Sequence, residues 1–239
     1  MSGHSKWAGI KHKKAAADAK RANVFTRLAN GITIAARHGG GDIQFNPALR
    51  AAVETARKAN MPKDNVERAI KRGTGELGGA AVEELLYEGF GPGNVAILVA
   101  ALTDNRNRTA PDIKLILTKN GGRFADGGGV AYQFRQQGVI RAEVSEAQAE
   151  RFEELVIEGG ADDYRIGEGH GIVYVPTADL HILRDAVEAA GFPVDSSDVE
   201  WVPNTPIEVT DEQLEGVANL IGLLEEHDDV TSVYTNLAE

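Results

Sequence analysis

Three observations predict a multi-domain α+β fold. Residues 1–75 carry apolar residues at helical spacing and an excess of basic side chains. A glycine-rich stretch, Thr74-Gly75-Glu76-Leu77-Gly78-Gly79, then interrupts the periodicity. Beyond it the apolar period becomes that of strands, and residues 138–203 run strand, helix, strand, strand, helix, strand. The prediction is an N-terminal three-helix bundle followed by two α/β sandwich modules, one ferredoxin-like and inserted in the other.

The first helix is predicted over 13–38. Val24, Phe25, Leu28, Ile32, Ala35 and Ala36 form one stripe, and His38-Gly39-Gly40-Gly41 stops it. Asn46-Pro47 opens the second, because Asn can accept from the free amides of the first turn and Pro fits where no amide is needed. Its inner face is Leu49, Val53 and Ala56. The third starts at Met61-Pro62, buries Val66, Ala69 and Ile70, and is expected to end before Gly73. On its outer side Lys63, Glu67 and Lys71 follow at four-residue steps.

Past the glycine-rich boundary, 82–90 and 94–102 read as strands joined by Gly91-Pro92-Gly93. A helix over 106–120 and a strand near 130–135 follow. The βαββαβ unit reads as strand 139–144, helix 146–158, strands 162–167 and 170–175, helix 178–190 and strand 194–202, with Gly167-Glu168-Gly169 as its central turn. A helix (211–226) and a strand (230–235) remain, and they complete the segment that the βαββαβ unit interrupts. The expected domains are 1–75, 80–137 plus 204–239, and 138–203.

Charge divides along the same boundary. Residues 1–75 hold 15 Lys and Arg against 5 Asp and Glu, a net of +10, while residues 76–239 hold 10 against 31, a net of −21. Because screening acts over about 8 Å at physiological salt, a basic head can bind a polyanion despite an acidic body. The absence of Cys excludes a disulfide framework, a thiol nucleophile and Cys-ligated zinc. The longest apolar run, Val95 to Leu102, is too short to cross a bilayer, and Met1-Ser2-Gly3-His4-Ser5-Lys6 lacks the apolar core of a secretory signal. A cytoplasmic protein with no membrane partner is expected.

The first helix carries the functional signal. Lys14 and Arg21 project onto the side of Leu28 and Ile32, where burying an unpaired charge would cost several kcal/mol. The helix is therefore expected to pack from about Val24 onward, leaving residues 13–22 as an Ala-rich rod bearing Lys13, Lys14, Lys20 and Arg21. Arg27 lies one turn further, and Lys6, Lys11 and His12 lie in the arm before it. These eight residues are the expected nucleic-acid contacts. Phosphate contacts give affinity and orientation rather than sequence discrimination, and about six of them would give a log K against log salt slope near −5 on duplex DNA. Trp7 could stack on a base, though anchoring the arm is the simpler role.

Several long motifs resemble the YebC family. They are Gly3-His4-Ser5-Lys6-Trp7, Ile10-Lys11-His12-Lys13-Lys14-Ala15-Ala16 and Asp18-Ala19-Lys20-Arg21, then Asn60-Met61-Pro62-Lys63-Asp64 and Glu67-Arg68-Ala69-Ile70-Lys71-Arg72-Gly73. Tyr87-Glu88-Gly89 and Thr103-Asp104-Asn105-Arg106-Asn107-Arg108-Thr109 match further along. The resemblance spans essentially the whole chain. It implies a three-module protein and a cytoplasmic, non-enzymatic regulator of gene expression. Bacterial members are described as DNA-binding transcriptional regulators. The family also includes the mitochondrial translational activator of cytochrome c oxidase, and some bacterial members are described as ribosome-associated factors that relieve stalls at proline runs. DNA and rRNA or the ribosome are thus both implied partners. The triple glycine Gly127-Gly128-Gly129 departs from the family pattern, where a more varied loop is expected.

Other constellations point to structure rather than chemistry. Within Thr103 to Thr109, Asp104 or Asn105 can cap a helix, and Arg106 and Arg108 are expected to pair with the body's carboxylates rather than with a bound anion. The glycine clusters lack the context and the GK[ST] of a phosphate loop. The six His residues show no metal-ligand spacing and no nucleophile elbow occurs, so no catalytic, cofactor or metal residue is expected. The acidic modules could receive a basic protein.

Overall fold

A computed structural model describes residues 20–78, 82–125 and 127–238, with side chains from residue 24 onward. Two compact units make it up: residues 132–205 form one, and the described residues before and after them form the other. The fold is α+β with two four-stranded antiparallel sheets.

The first unit opens with three helices, α1 (Lys20–Gly39), α2 (Pro47–Lys58) and α3 (Lys63–Thr74). Ile32, Ala36, Leu49, Val53, Ala56, Met61, Val66 and Ala69 form their common core. The apolar stripe of α1 packs from Phe25, while Val24 stays exposed. Asn46 caps α2 as expected, accepting from the Leu49 N–H at 3.0 Å, and its amide donates to the Ala35 and Gly40 carbonyls. One residue thus ties the start of α2 to the end of α1. The α2–α3 turn closes on Asn60 in the left-handed region (φ 61°), with the Met61 N–H donating to the Ala56 carbonyl and the Met61 side chain buried.

The third helix corrects the sequence reading. It does not stop before Gly73 but runs to Thr74 and ends on Gly75 at φ 80°. Gly73 serves packing instead, since a Cβ there would lie 2.3 Å from the Thr33 carbonyl oxygen of α1.

Strands β1 (Glu83–Phe90) and β2 (Ala96–Thr103) form the expected antiparallel pair; α4 (Arg106–Lys119) and the short β3 (Arg123–Ala125) follow. After residues 132–205 the chain returns with α7 (Asp211–Glu225) and β8 (Val230–Thr235), which completes the sheet order β3-β1-β2-β8. Val95, Ile97, Val99, Ile113, Leu117, Leu220 and Leu224 are its fully buried centre. Each such side chain contributes about 1.5–3 kcal/mol. This core is what makes the segments before and after the insertion one body.

In the second unit a single long strand, β4 (Phe134–Glu143), replaces the two short ones expected near 130–135 and 139–144. Residues 131–133 form a 3₁₀ turn. Then come α5 (Ala149–Glu158), β5 (Asp163–Gly167), β6 (His170–Val175), α6 (Leu180–Ala189) and β7 (Val194–Pro203). The sheet order β5-β6-β4-β7, all antiparallel, is the ferredoxin-like arrangement. Its core holds Ile140, Val156, Val173, Leu183 and an edge-to-face pair, Phe152 and Phe192, with centroids 4.9 Å apart. Among the described residues no helix is long and apolar enough to cross a membrane.

Candidate nucleic-acid interface

Of the expected contacts, Lys6, Lys11, His12, Lys13 and Lys14 lie outside the described residues, as does Trp7. Lys20 and Arg21 form the start of α1, and their side chains too lie outside the described part. Arg27 is described, and its position differs from the expected one. Its Nη2 donates to the Glu225 carbonyl at 2.9 Å and lies 3.4 Å from the Glu225 carboxylate, so the guanidinium sits at the C-terminal end of α7. That end carries the negative pole of the helix, which favours a cation.

Other polar groups on α1 follow Arg27. Asn30 donates to the Asp228 carbonyl at 3.3 Å. Arg37 donates to the Val82 carbonyl and stands 3.8 Å from Glu84, and His38 approaches the same carboxylate at 2.9 Å. One side of α1 is therefore occupied by anchoring the bundle to the sheet that follows it.

The cations of α2 and α3 are used differently. Arg50 folds back on the preceding turn, donating to the carbonyls of Ile43 (3.2 Å) and Gln44 (2.7 Å), and Lys63 pairs with Glu67 at 3.5 Å. Arg57, Lys58, Arg68, Lys71 and Arg72 have no ion pair and no side-chain hydrogen bond among the described residues, and all but the half-buried Arg72 are exposed or nearly so. Beside Arg50, Phe45 is 85% exposed on a turn held by the Asp42 carboxylate, which accepts from the Gln44 N–H at 2.8 Å. No periodicity marks Phe45, so the sequence offers no sign of its exposure.

Two carboxylates shape the sheet beside this bundle. Asp229, 8% exposed, accepts from Thr109 Oγ1 at 2.6 Å, Thr103 Oγ1 at 3.2 Å and Arg108 Nη2 at 3.0 Å. Burial alone would raise its pKa, but the Thr109 and Arg108 hydrogen bonds and the Arg108 charge outweigh that and hold it below the ordinary carboxylate range. Asn105 caps α4, accepting from the Arg108 N–H at 3.2 Å. Arg108 thus pairs with a carboxylate as expected, whereas Arg106, expected to do the same, has no ion pair and no side-chain hydrogen bond among the described residues.

Glu88, 6% exposed, accepts from the backbone N–H groups of Gly128 (2.6 Å), Val130 (2.5 Å) and Ala131 (2.9 Å). Burial opposes its charge, yet the three donors hold its pKa below normal. The stretch from Gly128, the middle of the triple glycine, to Ala131 is therefore a cradle for an internal carboxylate, with Gly128 at φ 87°. The sequence marks Glu88 only as part of the Tyr87-Glu88-Gly89 motif. Among the described residues no group of His, Asp and Glu is arranged to hold a metal ion.

Comparisons with known proteins cover the chain almost from end to end. A model of the TACO1/YebC protein N-terminal domain matches residues 5–76, and one of the TACO1/YebC second and third domain matches residues 82–237. A "Probable transcriptional regulatory protein" of Acidithiobacillus ferrooxidans is 50% identical over 237 residues, covering 99% of this chain and 94% of its own. One from Pelotomaculum thermopropionicum is 45% identical over 238 residues, covering 99% and 98%. The crystal structure of a conserved hypothetical protein from Aquifex aeolicus superposes with a TM-score of 0.85 at 41% identity, covering 94% of this chain and 93% of that one.

Proposed function

The chain belongs to the TACO1/YebC family, and from that premise we propose that it is a non-enzymatic regulator of gene expression that binds nucleic acid through its basic helical head, with DNA as the partner. The observation that carries this reading is the segregation of charge. A head of net +10 precedes a body of net −21, and the head's α2 and α3 keep five cations free of carboxylates among the described residues. The relatives are named probable transcriptional regulatory proteins, which supports the same class of function. The acidic α/β modules set the geometry of the head or receive a basic protein.

Affinity in this reading comes from phosphate contacts and is steeply salt-dependent. Crosslinking in cells followed by sequencing of the bound nucleic acid tests it. Recovery of promoter fragments is the expected result. Enrichment of rRNA or tRNA would move the partner to RNA and the function to translation, and recovery of neither would overturn the reading.

A further inference from the structure

The described part of the head presents a cationic face of its own, apart from the arm and the first turns of α1. On α3 the inward direction is set by Val66 and Ala69, both buried, and by Gly73 against Thr33. At about 100° per residue, the mean direction of Arg68, Lys71 and Arg72 lies about 140° away from it. Arg68 and Lys71, at i and i+3, therefore lie on the outward face of the helix, and the half-buried Arg72 lies on its flank. Arg57 and Lys58 stand in the last turn of α2, which the short turn at Asn60 joins to the N-terminal end of α3.

Nearby acids leave these cations alone. Glu54 is one turn from Lys58 and Asp64 one turn from Arg68, yet neither forms an ion pair among the described residues. Glu67 is engaged by Lys63, and Glu76 accepts from Thr74 Oγ1 at 2.8 Å. The helix dipole accounts for placing Arg57, Lys58, Lys71 and Arg72 in last turns, an effect of about 0.3–1 kcal/mol each at most exposed sites. It does not account for Arg68, which lies mid-helix, and it leaves the charges unneutralised.

We propose that the outer face of α3 and the last turn of α2 form a second docking surface for the phosphate backbone, with Arg68, Lys71 and Arg72 as its centre and Arg57 and Lys58 as its extension. This rests on the nucleic-acid reading of the head. Residues spread over two helices suit a ligand that repeats its charge along its length, and guanidinium groups bind phosphate oxygens in pairs. The head then holds nucleic acid at two places, the arm and α3, which fixes its orientation on the ligand as a single contact would not.

The test uses the full chain and measures affinity for a DNA duplex and an RNA hairpin across a salt series. The variant Arg68→Gln/Lys71→Gln/Arg72→Gln is expected to flatten the log K against log salt slope by about 2–3 on a duplex and to lower affinity at least about tenfold at ~0.1 M salt. Arg68→Lys/Arg72→Lys keeps most of the slope, and an unchanged circular dichroism spectrum in both variants ties the loss to charge. An unaltered slope in the Gln variant, with the slope lost on replacing Lys13, Lys14, Lys20 and Arg21, would overturn the second surface and leave the arm as the contact. Self-association abolished by the Gln variant while nucleic-acid binding persists would also overturn it, assigning the face to the acidic body of a second copy. No binding by the unaltered protein to either probe would overturn both this surface and the reading beneath it.

Discussion

The carboxylate of Glu88 and the backbone N–H of Val130 meet at 2.5 Å, joining a strand residue to a loop 42 positions later in the chain. Gly128 and Ala131 donate to the same side chain, so three amides depend on one charge. In Glu88→Gln, one carboxamide oxygen must replace two carboxylate oxygens, and the added NH₂ faces donors. Charge-assisted hydrogen bonds of this kind are worth about 1.5–3 kcal/mol. The expected result is a loss of about 2–4 kcal/mol in urea unfolding, with faster hydrogen exchange at residues 128, 130 and 131. Exchange unchanged at those amides would show that the cradle holds without the charge.

Acid should act through the same carboxylates. Glu88 and Asp229 both titrate below their ordinary range because hydrogen bonds, and for Asp229 the Arg108 charge, outweigh the effect of burial. A carboxylate depressed in the folded state stabilises the fold above its unfolded pKa, near 4, and that contribution is lost as pH falls through the lower folded value. Stability is therefore expected to be flat in this respect from pH 7 to about 5 and to fall below about 4. The double variant Glu88→Gln/Asp229→Asn starts less stable and shows a shallower decline over the same range. Urea midpoints at each pH distinguish the two curves, and parallel curves would place the acid sensitivity elsewhere.

Two glycines of the helical head are expected to respond oppositely to the same change. At Gly31 in α1 a Cβ would have nothing within 4 Å, whereas at Gly73 it would lie 2.3 Å from the Thr33 carbonyl oxygen and 2.9 Å from the Ala36 Cβ. Gly31→Ala should stabilise by about 0.5–1 kcal/mol through helix propensity and reduced unfolded-state entropy. Gly73→Ala should destabilise by about 1–3 kcal/mol, because the backbone of α1 must move to admit it. Thermal unfolding of both variants checks the pair.

What can be read in the sequence follows from the range of the interactions. The start of α2 at Asn46-Pro47, its inner face of Leu49, Val53 and Ala56, and the βαββαβ order are local patterns, and the structure has them. Gly138 lies between the two strands, near 130–135 and 139–144, that the sequence reading expects where the fold has the single β4. In the fold a Cβ at Gly138 would meet Leu180 at 2.9 Å, so the glycine admits α6 against the middle of the strand. The three-residue β3 is too short to show a period, and it is defined by its pairing with Glu88, Gly89 and Phe90. In sequence, Glu88 and Asp229 are indistinguishable from the many solvated acids, because their partners Val130 and Thr109 lie 42 and 120 residues away. Arg27 falls among the free cations for the same reason, as Glu225 is 198 residues distant.

That pairing also separates the expected effects along the first helix. The Arg27 guanidinium already faces a carboxylate and a helix C-terminus, so an approaching phosphate must compete with Glu225 for it. Lys13, Lys14, Lys20 and Arg21 belong to the stretch that the sequence pattern predicts to project beyond the packed part of the helix. Replacing these four with Ala is expected to lower nucleic-acid affinity more than about tenfold at ~0.1 M salt, without loss of helical circular dichroism. Arg27→Gln should instead change affinity by less than about threefold, since the charge it removes is already partly neutralised by the Glu225 carboxylate and the C-terminal end of α7. Titrations of both variants against one duplex decide the matter: an Arg27 effect as large as that of the four-residue variant would mean that nucleic acid displaces Glu225 and that the anchor of α1 is itself part of the binding surface.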